Sequence, residues 1–286
     1  MNHPRPVLPL IFLLCLSTLA IADEPAPPAE SEQAAIRIGL TPVFLDNRVD
    51  FLRQLRSYFE EKLGEPVTFV QRHSYSEVVD GLRSGQIDFA WLCGLPYVQH
   101  HNELQLVAVP LFEGRPFYRS YLIVPQEDGA TESILALQDS VFAFADPDSN
   151  SGYLVPRSEL QRAGLDSDNF FSQTFFTWSH TDVINAVASR LAAGGAVDSY
   201  VWESLAKRRP ELTARTRVAW RSPEFGFPPF VSRADIDPER FSAMQALLLQ
   251  MADNGDGAGF LAQLNLDGFS EVDDSLYDDI REVLRR

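Results

Sequence analysis

Apolar residues along this chain fall into two alternating rhythms. Short runs rich in β-branched and aromatic residues, at 36–40, 67–70 and 87–91, carry the pattern of buried strands. Between the first two, Phe51, Leu52, Leu55, Phe59 and Leu63 recur at helical spacing, and Gly64 ends that helix. Residues 76–84 read as a second helix, and 104–111 and 118–124 as further strands. A second series begins at Ser140, with a strand to Ala145, a helix from about Ser151 to Ala163, a strand at 174–177 and a helix at 181–192. Residues 197–202 and 217–220 are predicted strands. Asp237-Pro238-Glu239 offers an N-cap and a first-turn proline for a helix running to about Ala252. The alternation predicts an α/β protein with largely parallel sheets.

Two stretches resemble one another. Ser74-Tyr75-Ser76-Glu77-Val78-Val79 leads through Gly85 to Ile87-Asp88-Phe89-Ala90-Trp91, and Ser179-His180-Thr181-Asp182-Val183-Ile184 leads through Gly195 to Val197-Asp198-Ser199-Tyr200-Val201-Trp202. Each reads as a capped helix, a glycine stop and a strand. Similar βαβ units often look alike, and two lobes of like topology would produce the same pattern. Ligands of open α/β sheets collect at the carboxyl ends of strands, so Tyr75 and His180 are both expected to face a cleft. Asp198 and Tyr200, in the strand region of the second copy, join them as candidates.

Charge narrows the choice of partner. The 286 residues hold 40 acidic and 24 basic side chains, a net charge of −16, and Lys62 and Lys207 are the only lysines. A nucleic-acid binder needs a basic face, so that class is set aside, as is capture of anionic lipid by charge alone. Residues 1–22 read as a signal peptide: Arg5 gives a positive start, 7–16 is apolar, and Ala20-Ile21-Ala22 is a cleavage site. That run is shorter than the ~20 residues a membrane span needs. No small residue precedes Cys15, which argues against a lipid anchor. Residues 23–35, with Pro25, Pro27 and Pro28, read as a disordered leader. The expected product is periplasmic, with Cys93 as its one remaining thiol.

The segment Asp146-Pro147-Asp148-Ser149-Asn150-Ser151-Gly152 follows a predicted strand and opens a helix. Ser149, Asn150 and Ser151 there offer hydrogen-bond donors beside free backbone N–H groups, an anion seat that needs no cation, although capping is the commoner use of such residues. Trp91-Leu92-Cys93-Gly94-Leu95-Pro96-Tyr97 is a second strand end running into a helix, where Cys93 and Tyr97 either pack in the core or face the cleft. His100 and His101 beside Glu103 lack the spacing of a helical zinc site, and no Walker loop or G-x-S-x-G elbow is present. Ser151, His180 and Asp198 have no spacing that favours a catalytic triad. Neither an enzyme nor a metal or cofactor is expected; an exported hydrolase and a structural adaptor are the alternatives from other classes.

The chain resembles the periplasmic phosphonate/phosphite-binding proteins of ABC transporters over residues 36–264. The resemblance rests on Arg37-Ile38-Gly39-Leu40-Thr41-Pro42, the Gly85 to Tyr97 strand and turn, Asp148-Ser149-Asn150-Ser151-Gly152 with Pro156, His180, and Pro223 with Pro228-Pro229. It implies a two-lobe type II periplasmic-binding-protein fold with two hinge crossings, near Val124 and at 222–230. One lobe would take 36–123 plus 231–286 and the other 124–230. The resemblance also implies an oxyanion (phosphate, phosphite or phosphonate) on Ser149, Asn150 and Ser151, with Tyr97, His180 and an aromatic after the first strand, here Phe44. A permease would be the partner of a monomeric receptor. Asn150 stands where a threonine is common and Phe44 near a usual tyrosine. One branch of the family binds arsenite for a sensor kinase, with a cysteine important, and Cys93 carries that alternative.

Overall fold

In the computed structural model the described residues are Met1, 35–41 and 49–285. The expected signal segment beyond Met1, the leader to residue 34, and Phe44 lie outside them.

The strands are β1 (Ile36–Leu40), β2 (Val67–Gln71), β3 (Phe89–Trp91), β4 (Leu104–Leu111), β5 (Phe117–Tyr118), β6 (Ser120–Pro125), β7 (Val141–Phe144), β8 (Gln173–Phe176), β9 (Gly194–Asp198), β10 (Thr216–Arg221), β11 (Phe225–Gly226), β12 (Phe230–Arg233) and β13 (Gly268–Ser270), of which β11, β12 and β13 have no counterpart among the predicted runs. One sheet has the order β13-β4-β12-β3-β1-β2, another the order β10-β6-β9-β7-β8, and β5 pairs with β11 alone. β1 runs parallel to β2 and β3, and β7 parallel to β8 and β9, as the alternation predicts. The remaining pairs are antiparallel. The sheets are therefore mixed rather than largely parallel. The reason is connectivity: the strands that enter each sheet directly from the other, β6 and β12, need no helical crossover and insert against the parallel set.

The two sheets share one plan. β2-β1-β3-β12-β4 in the first corresponds to β8-β7-β9-β6-β10 in the second, parallel pairs falling on parallel pairs. The chain passes from the first sheet to the second between Leu111 and Ser120, and returns between Arg221 and Phe230. Val124 itself lies inside β6, paired with Arg217. The antiparallel contact of Phe225 with Tyr118 and Gly226 with Phe117 joins the two passages.

Local corrections have local causes. Residues 197–202 are not one strand: β9 stops at Asp198, whose carboxylate accepts hydrogen bonds from Tyr200 N (2.8 Å) and Val201 N (3.4 Å) and caps the helix Ser199–Arg208. Gly195 is no helix stop. It lies in β9, where an added Cβ would come within 2.4 Å of Val183 Cγ1, so close packing requires glycine there. The stop role falls to Arg190 at φ +62°, whereas Gly85 at φ +68° does end its helix as expected. The helix predicted from Ser151 begins instead as a widened turn, Asn150–Leu154, before the regular helix Val155–Arg162.

Candidate functional site

Each sheet sends two strand ends toward the same place. In the first, Ser74 caps the helix Tyr75–Arg83 by accepting from Glu77 N, placing Tyr75 in its first turn. Beyond β3, Cys93 occupies the N-cap position of Gly94–Gln99 without a side-chain cap bond. In the second, Ser179 caps the helix His180–Ala188, which begins at His180, and Asp198 caps the helix after β9. Tyr75 thus corresponds to His180 and Cys93 to Asp198, a phenol matched by an imidazole and a thiol by a carboxylate. After β7 comes the loop from Asp146, in which Ser149 Oγ accepts from Gly152 N at 2.9 Å.

These loops touch across the sheets. Asp146 Oδ2 accepts from Tyr75 N (3.2 Å), and Cys93 Sγ accepts from Asn150 N (3.4 Å). Asn150 Nδ2 donates to Tyr118 OH on β5 at 2.9 Å, and Asp198 N donates to His180 Nδ1 at 3.2 Å. Gly152 keeps this packing possible, since a Cβ there would lie 2.5 Å from Ala145 Cβ and 3.1 Å from His180 Cε1. Ser120 Oγ holds the Ser151 carbonyl at 2.6 Å. Tyr75, Cys93, Ser149, Asn150, Ser151, His180 and Asp198 are all buried.

Burial sets their protonation. It pushes Asp198 up to about 7 and Asp146 up to about 6, against the pull of the backbone N–H groups each accepts. The Cys93 thiol is pushed up to about 12 by burial, with the Asn150 and Leu95 N–H groups pulling the other way. Burial lowers His180 to about 3, so its ring is neutral. Because Nδ1 accepts from Asp198 N, the ring proton sits on Nε2.

Four buried side-chain atoms among the described residues have no hydrogen-bond partner: Tyr75 OH, Asn150 Oδ1, Ser151 Oγ and His180 Nε2. Buried polar groups are nearly always paired, because leaving one unpaired costs about 1–3 kcal/mol. All four lie on loops and helix starts that touch one another. A cavity of about 270 Å³ opens elsewhere, beside Leu122, Ile134, Pro156 and Trp220, and none of the four atoms lines it.

Of the sequence candidates, Tyr97 and Tyr200 have their hydroxyls committed. Tyr97 OH donates to Asp274 Oδ1 (2.7 Å) and Tyr200 OH to the Leu264 carbonyl (2.6 Å). Ser149 Oγ accepts the cap bond, which leaves its O–H free to donate, and Ser151 Oγ, beside the Tyr118 phenol, makes no other side-chain hydrogen bond. Tyr118 and the Asp146 carboxylate join the site without being sequence candidates for ligand contact. Tyr118 falls in the predicted strand 118–124, which breaks at Arg119, and Asp146 heads the serine segment, where only its hydroxyl and amide residues point to a ligand.

Two α/β sheets of one strand order, joined by two passages and meeting at polar loops, make the fold of the type II periplasmic binding proteins. More closely, residues 38–277 match the model of the phosphonate periplasmic substrate-binding proteins of ABC transporters, and the chain belongs to that family. It is 24% identical over 221 residues to a probable ABC transporter phosphite-binding protein of Prochlorococcus marinus, covering 73% of each chain. It is 25% identical over 258 residues to a phosphate-import protein of Mycolicibacterium smegmatis, covering 83% of this chain and 80% of that one. A binding-protein component of an ABC phosphonate transporter from Pseudomonas aeruginosa superposes with a TM-score of 0.81 at 23% identity, over 88% of this chain and 86% of that one. The Prochlorococcus marinus structure in complex with methylphosphonate superposes with a TM-score of 0.77 at 22% identity, over 88% and 97%. No helix among the described residues is long and apolar enough to cross a membrane.

Proposed function

We propose that the protein captures a small tetrahedral oxyanion of the phosphonate, phosphite or phosphate class between its two sheets and delivers it to the membrane permease of an ABC transporter. The observation that carries this is the set of four partnerless buried atoms, three of which, Tyr75 OH, Ser151 Oγ and His180 Nε2, are hydrogen-bond donors. Short-range neutral donors suit an acidic protein, whose net charge of −16 supplies no long-range attraction for an anion. The methylphosphonate complex of the Prochlorococcus marinus relative supports the ligand class. Ser149, Asn150 and Ser151 form the seat, and Tyr75, His180 and Asp198 its walls. The sheets act as two lobes that bend about β5 and β11. Export through residues 1–22, with cleavage after Ala22, puts the receptor in the periplasm as a monomer.

The alternative, arsenite sensing through Cys93 for a sensor kinase, has less behind it. Burial keeps this thiol protonated at neutral pH, and metalloid capture draws on thiolate. A calorimetric screen of methylphosphonate, phosphite, phosphate and arsenite tests the reading. Binding of at least one phosphoryl ligand, weakened in Ser151→Ala, is the expected result. Binding of arsenite alone, lost in Cys93→Ser, would overturn it.

A further inference from the structure

We infer that Asn150 makes this a site for an oxyacid that keeps a proton, a hydrogenphosphonate, hydrogenphosphite or dihydrogenphosphate monoanion, and that it rejects tetrahedral oxyanions with no proton to give, such as sulfate and sulfonates. This rests on the oxyanion reading above and specifies the ionisation state that the site accepts.

Asn150 is fully buried, and its side-chain amide makes one hydrogen bond. Its backbone N–H points to Cys93 Sγ and its Nδ2 donates to Tyr118 OH, which leaves Oδ1 as the end with no partner. An amide oxygen is an acceptor only. A guest facing it must bring a hydrogen. Tyr75 OH, Ser151 Oγ and His180 Nε2–H are donors, and they suit oxygens that carry no proton. Three donors and one acceptor match a monoprotonated phosphoryl group, whose P–OH meets Oδ1 while its other oxygens accept. A sulfonate would set a bare oxygen against the Asn150 oxygen, lone pair to lone pair.

The surrounding charge acts in the same direction. The titratable groups around Asn150 include Tyr75 on its helix, Cys93 before the next, Tyr118 on β5, Asp146 after β7, His180 on its helix and Asp198 after β9, with Asp148 acting on Asp146, Glu203 on Asp198 and Cys93 on Tyr277. Asp146 and Asp198 are carboxylates, no cationic neighbour offsets their burial among the described residues, and both bear on Tyr75 and Cys93. Above about pH 7, where both are ionised, a dianion would enter against two carboxylates, and a monoanion carries half that charge.

The test is calorimetry on the wild-type protein between about pH 5 and 9, a range that spans the second ionisation of phosphoryl groups. Phosphate, phosphite, methylphosphonate, sulfate and methanesulfonate are the ligands. Above each phosphoryl ligand's own second ionisation, affinity should fall about tenfold per pH unit. Methanesulfonate should bind at least a hundredfold more weakly than methylphosphonate. The pH at which affinity begins to fall must move with the ligand. A midpoint common to all three phosphoryl ligands belongs to Asp146 or Asp198 and overturns the inference. So does affinity that is flat or rising with pH, the signature of an amide turned to present Nδ2. In Asn150→Ser, whose hydroxyl both donates and accepts, the fall with pH should flatten and methanesulfonate should gain relative to methylphosphonate; an unchanged slope refutes the role of Asn150. No heat with any phosphoryl ligand at any pH sinks the oxyanion reading itself, a result distinct from binding without proton dependence.

Discussion

Replacing Tyr75 with phenylalanine removes one oxygen and little else. The ring is fully buried, and its hydroxyl is one of the four atoms with no partner. In the unliganded protein that hydroxyl is a burden: an unpaired buried polar group costs about 1–3 kcal/mol. Tyr75→Phe should relieve part of this and stabilise the empty protein by roughly 1 kcal/mol. For a chain of this size that is about 2–4 °C in melting temperature. With ligand the sign reverses, because a hydrogen bond to a charged group contributes about 1.5–3 kcal/mol, or roughly ten- to 150-fold in affinity. Differential scanning fluorimetry without ligand and calorimetry with methylphosphonate or phosphite give the two numbers separately. A melting temperature several degrees lower, with affinity within twofold of wild type, would make the hydroxyl structural and refute the reasoning.

The paired serines should separate in the same two assays. Ser149→Ala loses the cap on Gly152 N and should cost about 1 kcal/mol of stability, whereas Ser151→Ala should leave stability intact or raised and weaken binding about ten- to a hundredfold; the reverse pattern would exchange their roles. Asp198 carries a pH signature. Its folded value of about 7 lies above its ordinary 3.8, so its contribution to stability is complete below about 3.8 and is lost as the pH rises through 7. Within that window it adds a slope on the order of 1.4 kcal/mol per pH unit, which Asp198→Asn should remove from melts of the unliganded protein. Identical slopes in variant and wild type would contradict the buried carboxylate.

The serine loop was legible because strand, small polar residues and helix follow one another in the chain, and local order suffices to place them. The equivalence of Tyr75 and His180 was legible through the repeat, since a capping serine before a helical run is a short-range signal. Tyr118 escaped because its role depends on pairing with Phe225, more than a hundred residues away, which no local pattern encodes. The helix after Asp198 was hidden by Tyr200, Val201 and Trp202, residues with strong strand preference that a single capping carboxylate overrode. Gly195 shows the same limit, because its need for a missing side chain comes from Val183 on a packed helix. Unpartnered atoms could not be read at all: whether a serine hydroxyl is satisfied depends on every neighbour at once, and Ser149 and Ser151 look alike until those neighbours are known.

A scaffold built twice to one plan supplies matched positions, and here the matched positions carry unlike groups. Had both sheets offered phenols, or both thiols, a small ligand would have met the same surface on either side and settled in two poses of equal energy. Phenol against imidazole and thiol against carboxylate remove that degeneracy. Under the proposed function, a tetrahedral guest with one distinct corner, whether a carbon or a hydrogen on phosphorus, would then be read as a handed object although it has no chirality of its own. On the same proposal, each filled receptor would present its cargo in the same sense.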